Sequence, residues 1–319
     1  MDGWEALADG RGILSASHAL AAGLTARDLR TLVRQGLLVH LGRGWYALTA
    51  ALPDPSDRWE WRRQLHALRA HAAVQAYASQ VAASHHTALV LHGLPTYAAD
   101  LRQVHVTRLG HGQFRRRSGL TVHESFPESR ATATISGGVV DIGTAVLDTV
   151  RLNGLMAGLV AADAALNSGA LTHEDLDSAA AVLAGPASRV PRRLTTLADG
   201  RAESPGETRL REALRLMGLV AIPQYRIVDG SFVAVVDLYV EAHRLAVEFD
   251  GFVKYGRLNP HALGPTPAEV VLAEKVREDH VRELGHGFLR VVWSDLEDLH
   301  ALRRRIELLI ERLGHRPAA

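Results

Sequence analysis

Two apolar runs with acids embedded in them constrain this chain most: Phe232 to Val240, interrupted by Asp237, and Leu245 to Gly251, which carries Glu248 and Asp250. Only Glu241, Ala242, His243 and Arg244 lie between the runs, so a hairpin is predicted. Pairing Glu241 with Arg244, or Val240 with Leu245, gives the same register, and in it Asp237 stands opposite Glu248. Opposed residues share a sheet face with β carbons about 4.5–5.5 Å apart, and Asp250, two residues on, falls on the same face. Like charges that close repel unless a cation lies between them. The three carboxylates therefore read as an oxygen-ligand site for a divalent ion, the alternative being a solvent-facing polar stripe beside basic neighbours. Val236, Leu238, Val247 and Phe249 are expected to supply the alternating buried face.

At 319 residues, 47% of them hydrophobic, the chain has material for two or three packed cores. The absence of cysteine excludes disulfides and thiolate metal sites. A metal must then be held by carboxylate or imidazole, and the carboxylates of the hairpin suit magnesium or manganese. There is no apolar run of about 18 residues, and the N-terminus lacks the graded charge and apolarity of a signal peptide, so a cytoplasmic protein without a membrane partner is expected. A net charge of +1 does not point to nucleic acid by itself, so such a partner has to be argued from local charge.

Residues 1–52 supply that local charge. A serine-capped segment ending at Gly23 is followed by a second helix that Thr25 can cap, with Leu29, Leu32 and Val33 on its apolar side. Leu37 to Leu48 then reads as strand, glycine-flanked turn and strand. The order is helix-turn-helix plus wing. Arg27, Arg30 and Arg34 fall along one face of the second helix, and Arg43 sits in the wing tip. These four are candidate contacts to double-stranded DNA, against the plainer alternative of a solvated helix face. Through Gly23-Leu24-Thr25, Leu37-Leu38 and Gly42-Arg43-Gly44-Trp45-Tyr46 the segment resembles the N-terminal winged-helix domain of AbiEi-type antitoxins of type IV toxin-antitoxin systems. The resemblance implies promoter binding and repression, with a nucleotidyltransferase toxin as the partner if the chain is an antitoxin.

Residues 55–198 read as an α/β connecting domain of unassigned role. A long amphipathic helix is expected over 57–80, a Ser84-capped helix after it, and strands at Gln103–Thr107 and Leu120–His123. His85, His86 and His92 do not have the four-residue spacing of a paired zinc site, so a structural role is expected for them. Arg115, Arg116 and Arg117 read as a solvated hairpin tip or a phosphate contact.

Breakers and charge around 185–201 suggest a boundary, and a third domain is expected over 203–313. It opens on Ser204-Pro205-Gly206-Glu207, read as a capping box with proline in the first turn. The order of a helix with Glu207, a strand with Asp237, a strand with Glu248-Phe249-Asp250-Gly251, a helix, and the strand Phe288 to Trp293 resembles the Vsr-like endonucleases of the PD-(D/E)XK superfamily. That resemblance implies a restriction-endonuclease-like α/β domain with a mixed sheet that hydrolyses DNA phosphodiester bonds with magnesium. By position Asp237 and Glu248 would hold the metal, with Glu207 as an additional acid.

Asp250 stands where the superfamily has its lysine, which implies either a lost activity or a migrated role. Lys254 is the nearest replacement and Lys275 another, and Lys275, Arg277 and Arg282 are candidate phosphate contacts from a helix. The whole chain therefore reads as an α/β multidomain protein. Its function reads as that of a DNA-binding protein with a metal-dependent endonuclease domain, the alternatives being a repressor or antitoxin with an inactive nuclease fold and an interaction scaffold.

Overall fold

The computed structural model describes residues 3–78, 80–124, 135–136, 138–184, 189–251 and 267–314. These form two compact units, one within residues 1–165 and 169–198, the other within 166–168 and 199–319.

The first unit begins with β1 (Ile13–Ser15), α1 (Ala16–Ala21), α2 (Ala26–Arg34), β2 (Leu38–Gly42) and β3 (Trp45–Leu48). Ser15 caps α1 through the His18 N–H. Thr25 forms a full capping box with Asp28 on α2, two orphan amides being satisfied reciprocally. The strands form an antiparallel sheet in the order β1-β3-β2, and Leu14, Ala19, Leu29, Leu32 and Leu38 close the small core. This is the helix-turn-helix and wing that the pattern predicts.

Next comes α3 (Arg58–Ala76). Its Leu65, Leu68 and Ala72 pack with Ile13, Leu41 and Ala47 of the wing sheet, while Ala70 joins the core of the sheet that follows. One helix therefore serves two sheets, and residues 1–52 lie in one compact unit with 55–165 and 169–198. The following elements are β4 (Val81–Ala83), α4 (His85–Leu91), β5 (Val104–Arg108), β6 (Arg115–Arg117), β7 (Leu120–His123), β8 (Ile135–Ser136) and β9 (Val139–Val140). Their sheet has the order β6-β7-β5-β4-β9-β8. Arg115, Arg116 and Arg117 are not a hairpin tip: they form the exposed edge strand β6, paired with β7. Charged side chains on an edge discourage further strand pairing. The helices α5 (Ile142–Asn153), α6 (Leu155–Asn167), α7 (His173–Ala184) and α8 (Arg189–Leu197) follow.

The second unit has α9 (Pro205–Leu216), β10 (Ile222–Asp229), β11 (Phe232–Val240), β12 (Leu245–Phe249), α10 (Pro267–Glu283), β13 (Gly287–Val291) and α11 (Leu299–Gly314). Its sheet runs β10-β11-β12-β13, antiparallel except for the parallel pair β12–β13, so the expected mixed sheet is present. One face carries Leu238, Val240, Leu245, Val247 and Phe249 against Leu210 and Leu214 of α9 and Leu302 and Ile306 of α11. The other carries Ala234, Val236, Tyr239 and Ala246 against Val281 of α10.

Leu238↔Val247, Tyr239↔Ala246 and Val240↔Leu245 pair in the predicted register. The turn is a short 3-10 segment, Glu241–His243, ended by Arg244 in the left-handed region (φ 47°). The alternation does not run through as predicted, because Val236 and Leu238 belong to cores on opposite faces. The break falls at Asp237. On β10, the position between the pairs Pro223↔Leu238 and Tyr225↔Val236 is Gln224, whose φ is +50°. A local irregularity of this kind re-aims a side chain at a sheet rim, and here the side chain is Asp237.

Candidate functional site

Three arginines stand clear of the winged-helix core. Burying Leu29 and Leu32 turns the opposite face of α2 outward, leaving Arg27, Arg30 and Arg34 exposed. With Val33, they line a groove completed by His40 of β2 and Tyr46 of β3. The His40 and Tyr46 rings meet edge to face, 5.4 Å apart. Sequence reasoning missed these two residues, although their places on facing strands of the wing (His40↔Tyr46) were available from its register. Arg43 is exposed in the turn between β2 and β3. A row of guanidiniums beside an aromatic and an imidazole is chemistry for a phosphate backbone.

Residues 5–49 match the family described as transcriptional regulator, AbiEi antitoxin. The matched segment contains Arg27, Arg30, Arg34 and Arg43 together with the groove residues His40 and Tyr46. The match makes this segment similar to a transcriptional regulator's domain and extends to no other part of the chain. No curated protein matches the chain.

In the second unit a small cleft is lined by Val235, Asp237, Glu248, Phe249, Asp250, Glu274, Arg277 and Arg290. The structure thus brings Asp237, Glu248 and Asp250 to one place, with partners the sequence did not assign. Asp237 accepts the Phe249 N–H at 2.8 Å, so its carboxylate caps the strand where the ladder ends. Glu248, buried, pairs with Arg277 at 2.7 Å. Arg290, paired with Glu248 across the parallel ladder, reaches Glu278 at 3.0 Å, Glu274 at 3.4 Å and Asp250 at 4.0 Å. Burial pushes the Glu248 carboxyl above its ordinary value, against the opposing pull of Arg277 and Arg290.

Glu207 sits at the start of α9. The Ser204 hydroxyl accepts from its N–H, as predicted, but its carboxylate accepts from the Ser204 hydroxyl and the Glu203 N–H, and so does not complete the reciprocal box with the Ser204 N–H. Gln224 also donates to it, at 3.2 Å. Its carboxyl is pushed up, mainly by burial and further by the charge of Asp237. Glu207, Gln224 and Asp237 are therefore neighbours across the irregularity in β10 and β11.

The basic residues fall differently from the expectation. Arg277 is turned inward, onto Glu248 and the Val235 carbonyl. Arg282 is engaged by Glu278 and by the Phe288 carbonyl. Lys275 is exposed and does not line the cleft. Lys254 lies outside the described residues.

As arranged, this acid group fits a divalent ion poorly. Arg277 already pairs with Glu248 and Arg290 lies 4.0 Å from Asp250, and among the described residues Asp237, Glu248 and Asp250 do not gather one oxygen each into a close triad. A triad of ligand atoms does form elsewhere, from His85, His105 and His123 in the first unit.

Proposed function

We propose that the protein is a DNA-binding transcriptional regulator of the antitoxin kind, which lays Arg27, Arg30 and Arg34 along the phosphate backbone with Arg43 in the wing. The observation that carries this reading is the exposed arginine face of α2, continuous with His40 and Tyr46 in one groove inside the family-matched segment. Phosphate contacts fix the register of such a domain on the duplex, while other positions of α2 reach base edges. A gel shift on the DNA upstream of its own gene tests it. Tight binding by the wild type and weakened binding by Arg30→Ala and Arg34→Ala are expected, and binding unchanged in both variants excludes the assignment. An antitoxin would also retain a nucleotidyltransferase partner on co-purification.

A second reading, a restriction-endonuclease-like C-terminal unit that hydrolyses DNA with magnesium or manganese, is favoured by one observation: Asp237, Glu248 and Asp250 line a common cleft on a mixed sheet. Against it, Arg277 and Arg290 occupy the space beside those acids. The regulator with a non-cutting cleft, two of whose acids already face arginine, is therefore the preferred reading. Incubation of supercoiled DNA with the protein and either ion separates the two. Cutting that Asp237→Ala and Glu248→Ala abolish would establish the nuclease.

A further inference from the structure

The first unit holds a group of histidines, His85 and His105 buried and His123 partly so, that the proposed function does not use. His85 opens α4 directly after β4, His105 lies on β5 and His123 ends β7. β5 and β7 run parallel, with Thr107 opposite His123 and His105 opposite Thr121. His105 and His123 therefore lie two ladder positions apart on one face. Their rings are 5.1 Å apart, and His105 Nδ1 meets His123 Nε2 at 2.8 Å. His85 stacks on His123 with centroids 4.0 Å apart. One nitrogen from each of the three rings lies within 4.8 Å of the others.

The surroundings fix these rings and keep them uncharged. Ser84 Oγ meets His85 Nδ1 at 2.9 Å and accepts the Thr107 hydroxyl at 2.8 Å. Ser84 consequently gives α4 no side-chain cap, contrary to the sequence expectation. The His105 backbone is held on both sides, its N–H by Thr87 Oγ1 and its carbonyl by the Ser84 N–H. His85 has φ +53°, a conformation that costs a non-glycine residue on the order of 1 kcal/mol and is kept where the surrounding structure demands it. Burial drives all three imidazoles toward the neutral form: His85 lies well below its ordinary value, His105 is lowered to about 3 and His123 to about 4. Neutral imidazole is the form that binds metal.

From this geometry we propose a transition-metal site in the first unit, with His85, His105 and His123 as ligands to a divalent ion of the zinc class. Three imidazoles suit zinc, cobalt or nickel and not magnesium. With bonds of 2.0–2.1 Å in tetrahedral geometry the ligand nitrogens stand about 3.3 Å apart, so the His105–His123 contact has to open by about half an ångström while the wider separations, all within 4.8 Å, close toward the same value. The proton between those two nitrogens moves to the outer nitrogen of its own ring. The His85 Nδ1–H then donates to Ser84 Oγ, the orienting bond that metal-bound histidines usually make. Three protein ligands leave a fourth position for water or a small anion.

The test uses the full chain, stripped with a chelator and titrated with cobalt(II) chloride, whose visible absorption reports tetrahedral nitrogen ligation. One ion per chain, displaced by zinc and not by magnesium, is expected. His123→Gln, at the least buried of the three positions, is expected to weaken binding by more than about 100-fold, and Ser84→Ala by about 10- to 100-fold. His111→Gln, at an exposed position, leaves binding unchanged. Circular dichroism establishes that each variant is folded; should His85→Gln or His105→Gln fail to fold, His123→Gln and Ser84→Ala decide. Absence of tetrahedral absorption, binding of equal strength in His123→Gln, or displacement by magnesium overturns the proposal.

Discussion

Arg277 of α10 holds the buried carboxylate of Glu248 on β12 at 2.7 Å and, with its other terminal nitrogen, donates to the Val235 carbonyl of β11 at 2.9 Å. One side chain thereby ties a helix to two strands and neutralises an acid on the floor of the cleft. Removing one partner of such a pair leaves the other charge in a poor solvent, which costs more than the pair itself contributes.

Arg277→Ala is therefore expected to destabilise the second unit at neutral pH by about 2–3 kcal/mol, below the fully buried figure because the Arg277 side chain is 29% exposed. The Glu248 carboxyl is already raised by burial, and losing Arg277 raises it further. A carboxyl whose folded value lies above its unfolded value contributes stability at low pH, and that stability is lost as pH rises through the folded value. The penalty of Arg277→Ala should shrink as pH falls through that raised value. Urea unfolding at several pH values measures it, and a penalty independent of pH would show that Glu248 is not the group left unpaired.

The charge of Asp237 is one cause of the raised carboxyl at Glu207, after burial. Asp237→Asn should lower the Glu207 midpoint toward the ordinary 4.5, as followed by carboxyl-carbon NMR of the folded protein. Between 4.5 and the raised value the folded chain binds the proton more tightly than the unfolded one, so stability falls with rising pH in that window. The Glu207 share of that slope should diminish in Asp237→Asn. An unmoved midpoint would place the two acids too far apart for their charges to interact.

The hairpin and its register were readable because two apolar runs with a four-residue gap leave one pairing, whereas the mixed sheet was expected only from the resemblance to Vsr-like endonucleases. The irregularity at Asp237 was not, because it depends on the +50° φ of Gln224, a residue on another strand that carries no glycine to announce it. Arg277 read as a phosphate contact because helical spacing says nothing of which face a distant strand will claim. The histidine triad escaped for a related reason. Spacing within 85–92 argued against a metal, whereas the actual partners, His105 and His123, come from β5 and β7 and meet only through a parallel pairing. The winged helix was the most readable part, since caps, apolar positions and wing all lie within 52 residues of local sequence.

Salt dependence distinguishes phosphate contacts from base contacts on the α2 face. Each phosphate neutralised contributes about 0.9 to the slope of log K against log salt on duplex DNA. Arg30→Ala and Arg34→Ala are each expected to reduce the slope by about that amount and to weaken specific and non-specific DNA alike. Arg34 donates to Thr31 at 3.0 Å, which orients its guanidinium on the exposed face of α2. Fluorescence anisotropy across a salt series measures the slopes. A variant that loses affinity for one sequence only, with its slope intact, would reassign that arginine to base reading.

Gly206, in the first turn of α9, is where the helix carrying Glu207 meets the strand carrying Glu248. A β carbon added there would lie 2.0 Å from the Phe249 ring, and the ring is itself held edge to face by Trp293 at 4.8 Å. In an uncrowded helix alanine outranks glycine by about 0.8–1.0 kcal/mol, so without this contact Gly206→Ala should stabilise. With it, the ring must move inside a packed core, and a net loss of about 1–3 kcal/mol is expected. Phe249→Leu alone should also destabilise, but added to Gly206→Ala it should cost less than the sum of the two single changes, because the shorter side chain makes room for the methyl group. Thermal or urea unfolding of the four proteins closes the cycle, and additive losses would mean that α9 and β12 do not approach at Gly206.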